Sequence, residues 1–250
     1  MINILLHGCN GKMGQAVVNA VSQRDDMKIV CGVDPFGVSN YDFPVYDSFD
    51  EVAEKTDVII DFSNPSLIPA LCAYAKTNTL PSVICTTGLD ENQKALVEDL
   101  SATAPVFSSG NMSLGINLLI ELCKKATAVF GDGFDIEIIE KHHNQKLDAP
   151  SGTALMIADG ISDTLERTPQ YVYDRHAYRA KRAKNEIGMH SVRGGTIVGE
   201  HSVIFAGNDE VLTITHQAQS KALFATGALS AATFIINQSR GMYDMGDMLG

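Results

Sequence analysis

INILLHGCNGKMGQAV, Ile2 to Val17, is the stretch whose reading decides the fold. Ile2–Leu6 is an apolar run of strand length, and behind it come glycines at 8, 11 and 14. From Lys12 to Arg24 the spacing turns helical, with Met13, Val17, Val18 and Val21 on one side. Strand, glycine turn and helix in that order present backbone N–H groups and a positive dipole end to a phosphate. The spacing is Gly-x-x-Gly-x-x-Gly, with Asn10 where the middle glycine of Gly-x-Gly-x-x-Gly is usual. Gly8 can take a backbone conformation closed to other residues, Gly11 admits a pyrophosphate, and Gly14 lets the helix pack on the strand. A second strand, Lys28–Val33, ends at Asp34, which lies 20 positions beyond Gly14. An acidic residue there accepts from the ribose hydroxyls of an adenosine. A carboxylate repels a 2′-phosphate and the next residue is Pro35, so NADH is expected to be preferred over NADPH. Lys12, by reaching that phosphate, would soften the preference.

Outward from this unit, apolar strands alternate with helical segments. DVIIDF (Asp57–Phe62), SVIC (Ser82–Cys85) and the short Val106–Phe107 read as strands. Asp50–Lys55, Ser66–Lys76 and Glu91–Thr103 read as helices. Strands apolar on both faces and separated by helices predict a doubly wound parallel sheet. Ligands bind such sheets outside the carboxyl ends of the strands. The loops there are Phe62–Pro65, where Asn64 also suits a helix cap, then Cys85, Thr86, Thr87 and Gly88, then Ser109, Gly110, Asn111 and Met112. Each reads equally as a capped turn or as a cofactor contact.

After SSGNMSLG (Ser108–Gly115) the pattern changes. A helix, Ile116–Phe130, precedes a half-buried strand, Phe134–Glu140, and a second helix, Thr153–Leu165. A polar segment, Arg167–Glu186, leads to strand-like runs at Met189–Val192, Thr196–Val198, Ser202–Phe205 and Val211–His216. Several strands in succession predict an open, partly antiparallel sheet. An alanine-rich helix, Ala222–Ile236, closes the pattern.

Bulk properties exclude some functions. Thirty acidic residues against 19 basic ones give a formal charge of −11, which argues against a nucleic-acid surface and an anionic membrane. No apolar stretch approaches the ~20 residues of a membrane span, and the N-terminus lacks the basic start of a signal peptide. Five cysteines without a Cys-x-x-Cys pair read as buried thiols in a reducing compartment. A cytoplasmic protein is expected.

One stretch stands out in this acidic chain: EKHHNQKLDAPSGTA, Glu140 to Ala154. His142, His143 and Lys146 bring three proton donors together just before a helix start at Ser151 or Gly152. The N–H groups of Gly152 and Thr153 and the Thr153 hydroxyl form a receptor for a carboxylate or phosphate. Two imidazoles and an ammonium add positive charge and transferable protons. Together with a nicotinamide site this suggests reduction of a small anion. A zinc site is not expected, because adjacent histidines on an extended chain point opposite ways and no His-x-x-x-His is present.

This stretch resembles the signature E-x-H-H-x-x-K-x-D-A-P-S-G-T-A of the dihydrodipicolinate reductase (4-hydroxy-tetrahydrodipicolinate reductase) family. The resemblance covers the whole chain and includes Gly8–Gly14, Phe62–Pro65, Thr86–Gly88, Arg193–Phe205 and Thr215–Gly227. It implies a Rossmann-like doubly wound domain, 1–113 with 222–250, and a smaller α+β domain with an open mixed sheet, 114–221. It implies NAD(P)H-dependent reduction of a small dicarboxylate in lysine and diaminopimelate biosynthesis, by a homotetramer assembled through the second domain. By position, His142 and Lys146 would be the catalytic proton donors, and His143, Gly152 and Thr153 would bind substrate. Gly8, Cys9, Asn10, Gly11, Lys12, Met13, Asp34, Cys85, Thr86, Thr87, Ser109, Gly110, Asn111 and Met112 would contact the cofactor, with no metal. Three departures stand out. Cys85 replaces a frequent glycine, Asn64 a basic residue of some members, and Lys221 an arginine. The rival readings are another dehydrogenase of similar plan and an NADH-binding sensor without turnover, neither of which needs the proton-donor cluster.

Overall fold

The computed structural model of the chain describes residues 1–36, 41–177 and 179–250. In chain order the elements are β1 Ile2–His7, α1 Lys12–Val21, β2 Met27–Val33, β3 Val45–Tyr46, β4 Val58–Asp61, α2 Ile68–Asn78, β5 Ser82–Ile84, α3 Glu91–Ser101 and β6 Pro105–Ser108. There follow α4 Leu114–Phe130, β7 Asp135–His142, α5 Gly152–Ser162, β8 Gln170–Val172, β9 Glu186–Arg193, β10 Gly199–Ala206 and β11 Val211–Ala218. The last elements are α6 Ala222–Ile235, β12 Gly241–Tyr243 and α7 Met245–Leu249. Two compact units result, Met1–Leu114 with Lys221–Gly250, and Gly115–Ser220.

The first unit is built on a parallel sheet in the order β12-β6-β5-β4-β1-β2-β3. The chain winds outward from β1 in both directions, so the switch in strand order lies between β1 and β4, the expected ligand position of a doubly wound fold. On one face Val17 and Val21 of α1 and Ala225, Ala228, Leu229 and Ile235 of α6 form a core with Ile4, Leu6 and Ile60 of the sheet. On the other, Leu71 of α2 and Val97 and Leu100 of α3 pack over Leu5, Ile59 and Ile84.

The second unit carries a mixed sheet, β11-β10-β7-β9-β8, in which β10 runs antiparallel to β7 and β11, while β7, β9 and β8 run parallel. Strand β7 alternates strictly, with Ile136, Ile138, Glu140 and His142 inward. The two isoleucines pack with Ile116 and Cys123 of α4, Ile157 and Ile161 of α5, and Val203 and Phe205 of β10. The opposite face is mixed, with Asp135, Glu137 and Lys141 around Ile139. Glu137 there accepts from Arg182 Nε at 2.9 Å and pairs with His190 Nε2 at 2.8 Å.

Two segments differ from the sequence expectation. Asp50–Lys55 contains no α-helix but one 3-10 turn, Phe49–Glu51, capped by Ser48, whose Oγ accepts from the Asp50 N–H at 3.2 Å. Phe49 is buried there between the rings of His7 and Tyr74, and a segment this short does not propagate a helix. Thr196–Val198 is not a strand but the end of a turn. Gly194 N–H donates to His142 O at 2.9 Å and Gly195 takes φ +49°, which reverses the chain before β10 begins at Gly199.

Candidate active site

At the carboxyl end of β1, two glycines are demanded by the fold. Gly8 has φ +77°, and a Cβ there would lie 2.7 Å from Phe62 O. A Cβ on Gly14 would collide with Gly8 O and the Cys9 backbone. Gly11 is different. It is the N-cap of α1, and a Cβ on it would meet only Gly8 O, at an ordinary 3.4 Å. The protein does not need glycine there, but a bare helix N-terminus admits a phosphate.

Asn10 has a specific task. Its N–H donates to Asp34 Oδ2 at 2.9 Å and its Nδ2 to Phe36 O at 2.8 Å, while Phe36 N–H donates to Asp34 Oδ1 at 2.9 Å. The turn and the acidic residue are thereby held together, with Asp34 itself buried. Beside them a groove of about 370 Å³ is lined by His7, Val33, Pro35, Phe49, Leu67 and Tyr74. A glycine cradle, an open helix end and a fixed carboxylate fit a dinucleotide.

The loop after β5 is tied to β4. Asp61, fully buried, accepts from Thr86 Oγ1 at 2.6 Å and Ser63 N–H at 3.2 Å, and lies 2.8 Å from His7 Nδ1. Neither Asp61 nor His7 is singled out by motif, yet they set the ends of β1, β4 and β5 in one network. Cys85 is buried and Thr87 exposed. In the loop after β6, Ser109 Oγ donates to Asn111 O at 3.0 Å and Asn111 Oδ1 accepts from Ser113 N–H at 2.8 Å. Gly227 of α6 packs so closely on Met112 O that any side chain at 227 would collide. Cys9 and Met112 turn their side chains into the core, and Cys9 O accepts from the Tyr41 hydroxyl at 2.9 Å. Gly11, Lys12 and Gly110 are exposed, and Met13 is half-buried.

In the second unit the proton-donor cluster follows directly from the parity of β7. Glu140 and His142 are two residues apart on the inward face, and Glu140 Oε2 lies 2.6 Å from His142 Nδ1. From β9, Arg193 grips Glu140 with both terminal nitrogens, at 2.7 and 2.8 Å, and also donates to Asp148 O at 2.6 Å. Ser151 N–H donates to Glu140 Oε1 at 3.1 Å. Burial pushes the Glu140 carboxyl up, but hydrogen bonds from Arg193, His142 and Ser191 outweigh it and hold it at about 2. An ionised carboxylate only accepts, so Nδ1 of His142 carries a proton and Nε2 is left for proton transfer. That nitrogen faces Gly199, where a Cβ would stand 3.1 Å away.

His201 stands opposite Glu140 on β10. Its ring meets His142 edge-on with centroids 5.2 Å apart, and its Nε2 lies 3.0 Å from Ser151 Oγ. Burial, with His142 alongside, pushes His201 down to about 4, so it is neutral at neutral pH. Ser151 caps α5 by accepting from Ala154 N–H at 3.1 Å. Lys146 Nζ lies 2.9 Å from Asp148 Oδ1, which lowers the Asp148 carboxyl. His143 and Thr153 are half-buried and Gly152 is exposed. His142, Lys146 and the start of α5 therefore belong to one short connection between β7 and α5. From sequence, Glu140 opens the family signature and Arg193 and His201 lie in the matching stretch Arg193–Phe205, but sequence alone gives none of the three a role. Among the described residues no group of three His, Cys, Asp or Glu side chains is placed to hold a metal ion, and no helix is long and apolar enough to cross a membrane.

The fold and the glycine turn at its switch point place the chain in the class of doubly wound dinucleotide-binding folds. The family model for the N-terminus of dihydrodipicolinate reductase matches residues 2–112, and that for its C-terminus residues 115–249. A 4-hydroxy-tetrahydrodipicolinate reductase of Caldanaerobacter subterraneus subsp. tengcongensis is 53% identical over 249 residues, covering 100% of this chain and 98% of that one. One from Clostridium tetani is 47% identical, covering 100% and 97%. The solved structure of a dipicolinate-bound dihydrodipicolinate reductase from Paenisporosarcina sp. TG-14 matches with a TM-score of 0.79 at 28% identity, covering 98% of this chain and 97% of that one. The chain belongs to the dihydrodipicolinate reductase family.

Proposed function

We propose that the protein reduces 4-hydroxy-tetrahydrodipicolinate to tetrahydrodipicolinate with NAD(P)H, a step of lysine and diaminopimelate biosynthesis. The observation that carries the reading is the β7–α5 connection, which joins an anchored histidine, a lysine and a helix N-terminus in 15 residues matching the family signature. Residues 1–113 with 222–250 form the dinucleotide-binding domain, and residues 114–221 form the substrate-binding and oligomerisation domain. When bound, a nicotinamide cofactor would supply the hydride for the ring carbon made electrophilic by loss of water. Gly8–Met13, Asp34, Cys85–Thr87 and Ser109–Met112 would hold the cofactor.

The chain's own residues account for the proton and the orientation. Glu140 keeps His142 Nδ1 protonated, so a proton delivered from this ring leaves from Nε2. Lys146 supplies a second donor, and either group, or a relay through both, protonates the developing enamine nitrogen. His143, Gly152 and Thr153 bind a substrate carboxylate at the N-terminus of α5. NADH is the preferred cofactor, because Asp34 is fixed by two backbone N–H groups where a 2′-phosphate would be repelled. The protein works in the cytoplasm, a reading supported by five free, buried thiols. It is a homotetramer, supported by the exposed edge strand β11, where Val211 and Leu212 face solvent.

The test follows the near-ultraviolet absorbance of NADH, then of NADPH, with substrate made in place by an aldolase from pyruvate and aspartate semialdehyde. Oxidation is expected to require both the aldolase and this protein. A protein that binds NADH without turnover would overturn the reading in favour of a sensor, and a tenfold preference for NADPH would overturn the assignment of NADH.

A further inference from the structure

We propose that Glu140 is the positioning residue of this site: a single buried carboxylate that fixes the ring of His142 and the N-terminus of α5 together, so that proton donor and carboxylate receptor form one rigid body. The proposal rests on the reductase reading and deepens it.

Each oxygen of Glu140 has a separate duty. Oε2 lies 2.6 Å from His142 Nδ1 and accepts from Arg193 Nη1 at 2.8 Å. Oε1 accepts from Arg193 Nη2 at 2.7 Å and from Ser151 N–H at 3.1 Å. The two bonded groups belong to different elements, the end of β7 and the cap of α5. The carboxylate between them is 1% exposed. A charge at that depth is costly unless paired, and an apolar residue would suit the same strand face beside Ile136 and Ile138. Packing alone does not call for a carboxylate here.

Arg193 makes the arrangement rigid, because its planar fork matches both oxygens at once. The groups facing Glu140 are Arg193 and the Ser191 hydroxyl from β9, His142 on its own strand, His201 from β10, and the Ser151 N–H ahead of α5. Lys146 and Asp148 stand in the loop beyond, and Arg193 reaches that loop through Asp148 O. His201, held neutral by burial, adds no positive charge against the His142 ring. Removing the charge of Glu140 would therefore release the Nδ1 tautomer of His142 and loosen the start of α5.

The test compares Glu140→Gln and Glu140→Asp with the wild type on the full chain. Turnover of Glu140→Gln is expected to fall by about 10²-fold or more, as when a carboxylate that sets a histidine tautomer becomes an amide. The Michaelis constant for substrate is expected to rise, because Ser151 loses its partner. Nitrogen-15 NMR of the ring, without substrate or cofactor, is expected to show His142 protonated at Nδ1 in the wild type and a tautomer mixture in Glu140→Gln. Glu140→Asp keeps the charge and is expected to retain the fold while showing the same changes in weaker form.

The proposal is overturned if either folded variant turns over at the wild-type rate. It is equally overturned if turnover falls while Michaelis constant and tautomer stay as in the wild type, as a merely structural residue would give. The NMR arm needs no turnover. A wild type that is inactive yet shows the Nδ1 tautomer, lost in the variants, would leave Glu140 placed and the reductase reading refuted.

Discussion

Changing Glu140 to glutamine keeps the outline of the side chain and removes its charge, and the effect on stability depends on pH in a defined way. In the folded chain the carboxyl titrates at about 2, against 4.5 for an ordinary glutamate. A carboxyl lowered by folding stabilises the native state above pH 4.5, and that contribution is lost as the pH falls toward 2. At about 1.4 kcal/mol for each pH unit, the gap is worth roughly 3 kcal/mol. The side chain is 1% exposed, so solvent does little to screen this figure. Glu140→Gln is therefore expected to be less stable than the wild type by about 3 kcal/mol at pH 7. The two should converge near pH 2, where the wild type carries a protonated carboxyl shaped like the amide. The assay is urea unfolding followed by far-ultraviolet circular dichroism at a series of pH values, since the chain has no tryptophan. A difference that stays flat from neutral to acid pH, or widens toward acid, would refute the reasoning.

Other consequences can be read from the same geometry. His142→Ala and Lys146→Ala are each expected to lower turnover by roughly 10²–10⁴-fold while the circular dichroism spectrum is retained. Wild-type rates in both would remove these residues from the chemistry. Gly14→Ala is expected to lower the melting temperature, because its methyl would collide with Gly8 O and Cys9. Gly11→Ala should melt as the wild type does and bind NADH about tenfold more weakly by calorimetry, a loss of about 1.4 kcal/mol. Equal melting temperatures for the two variants would contradict this division. All five cysteines are buried, and burial pushes Cys9, Cys31 and Cys123 up to about 12 and Cys72 to about 11. A disulfide reagent at mildly alkaline pH is expected to leave the native protein untouched and to titrate five thiols after denaturation.

The doubly wound plan is legible because its longer strands are apolar on both faces and its helices are long enough to show a period. β3, β8 and β12 are not legible. They have two or three residues each and owe their existence to a neighbouring strand edge rather than to a pattern of their own. Asp50–Lys55 carries helix-forming residues but too few of them, and the burial of Phe49 decides its geometry. In the site, the residues with a recognisable spacing, from Gly8 to Gly14 and from His142 to Thr153, stand out from the sequence. Glu140 opens the family signature and stands at an inward position of an alternating strand, which marks a buried charge in need of a partner. Arg193 and His201 lie in the stretch Arg193–Phe205 that resembles the family, but no spacing marks them as partners of Glu140. They reach Glu140 only through the pairing of β9 and β10 with β7, and nothing local in a sequence encodes which strands become neighbours.

The return of α6 to the first sheet also sets an order of events during synthesis. Ala225, Ala228, Leu229, Ala231, Ala232 and Ile235 are part of the apolar layer that covers Ile4, Leu6 and Ile60. The ribosome must make all of Gly115–Ser220 before it makes those residues. At roughly 5–20 residues per second, that leaves the earliest strands with one bare face for on the order of ten seconds. The second unit, whose core comes entirely from one continuous segment, can finish before the first. In a nascent chain, then, the part translated first is the part completed last, and it is the part on which a chaperone would have most to hold.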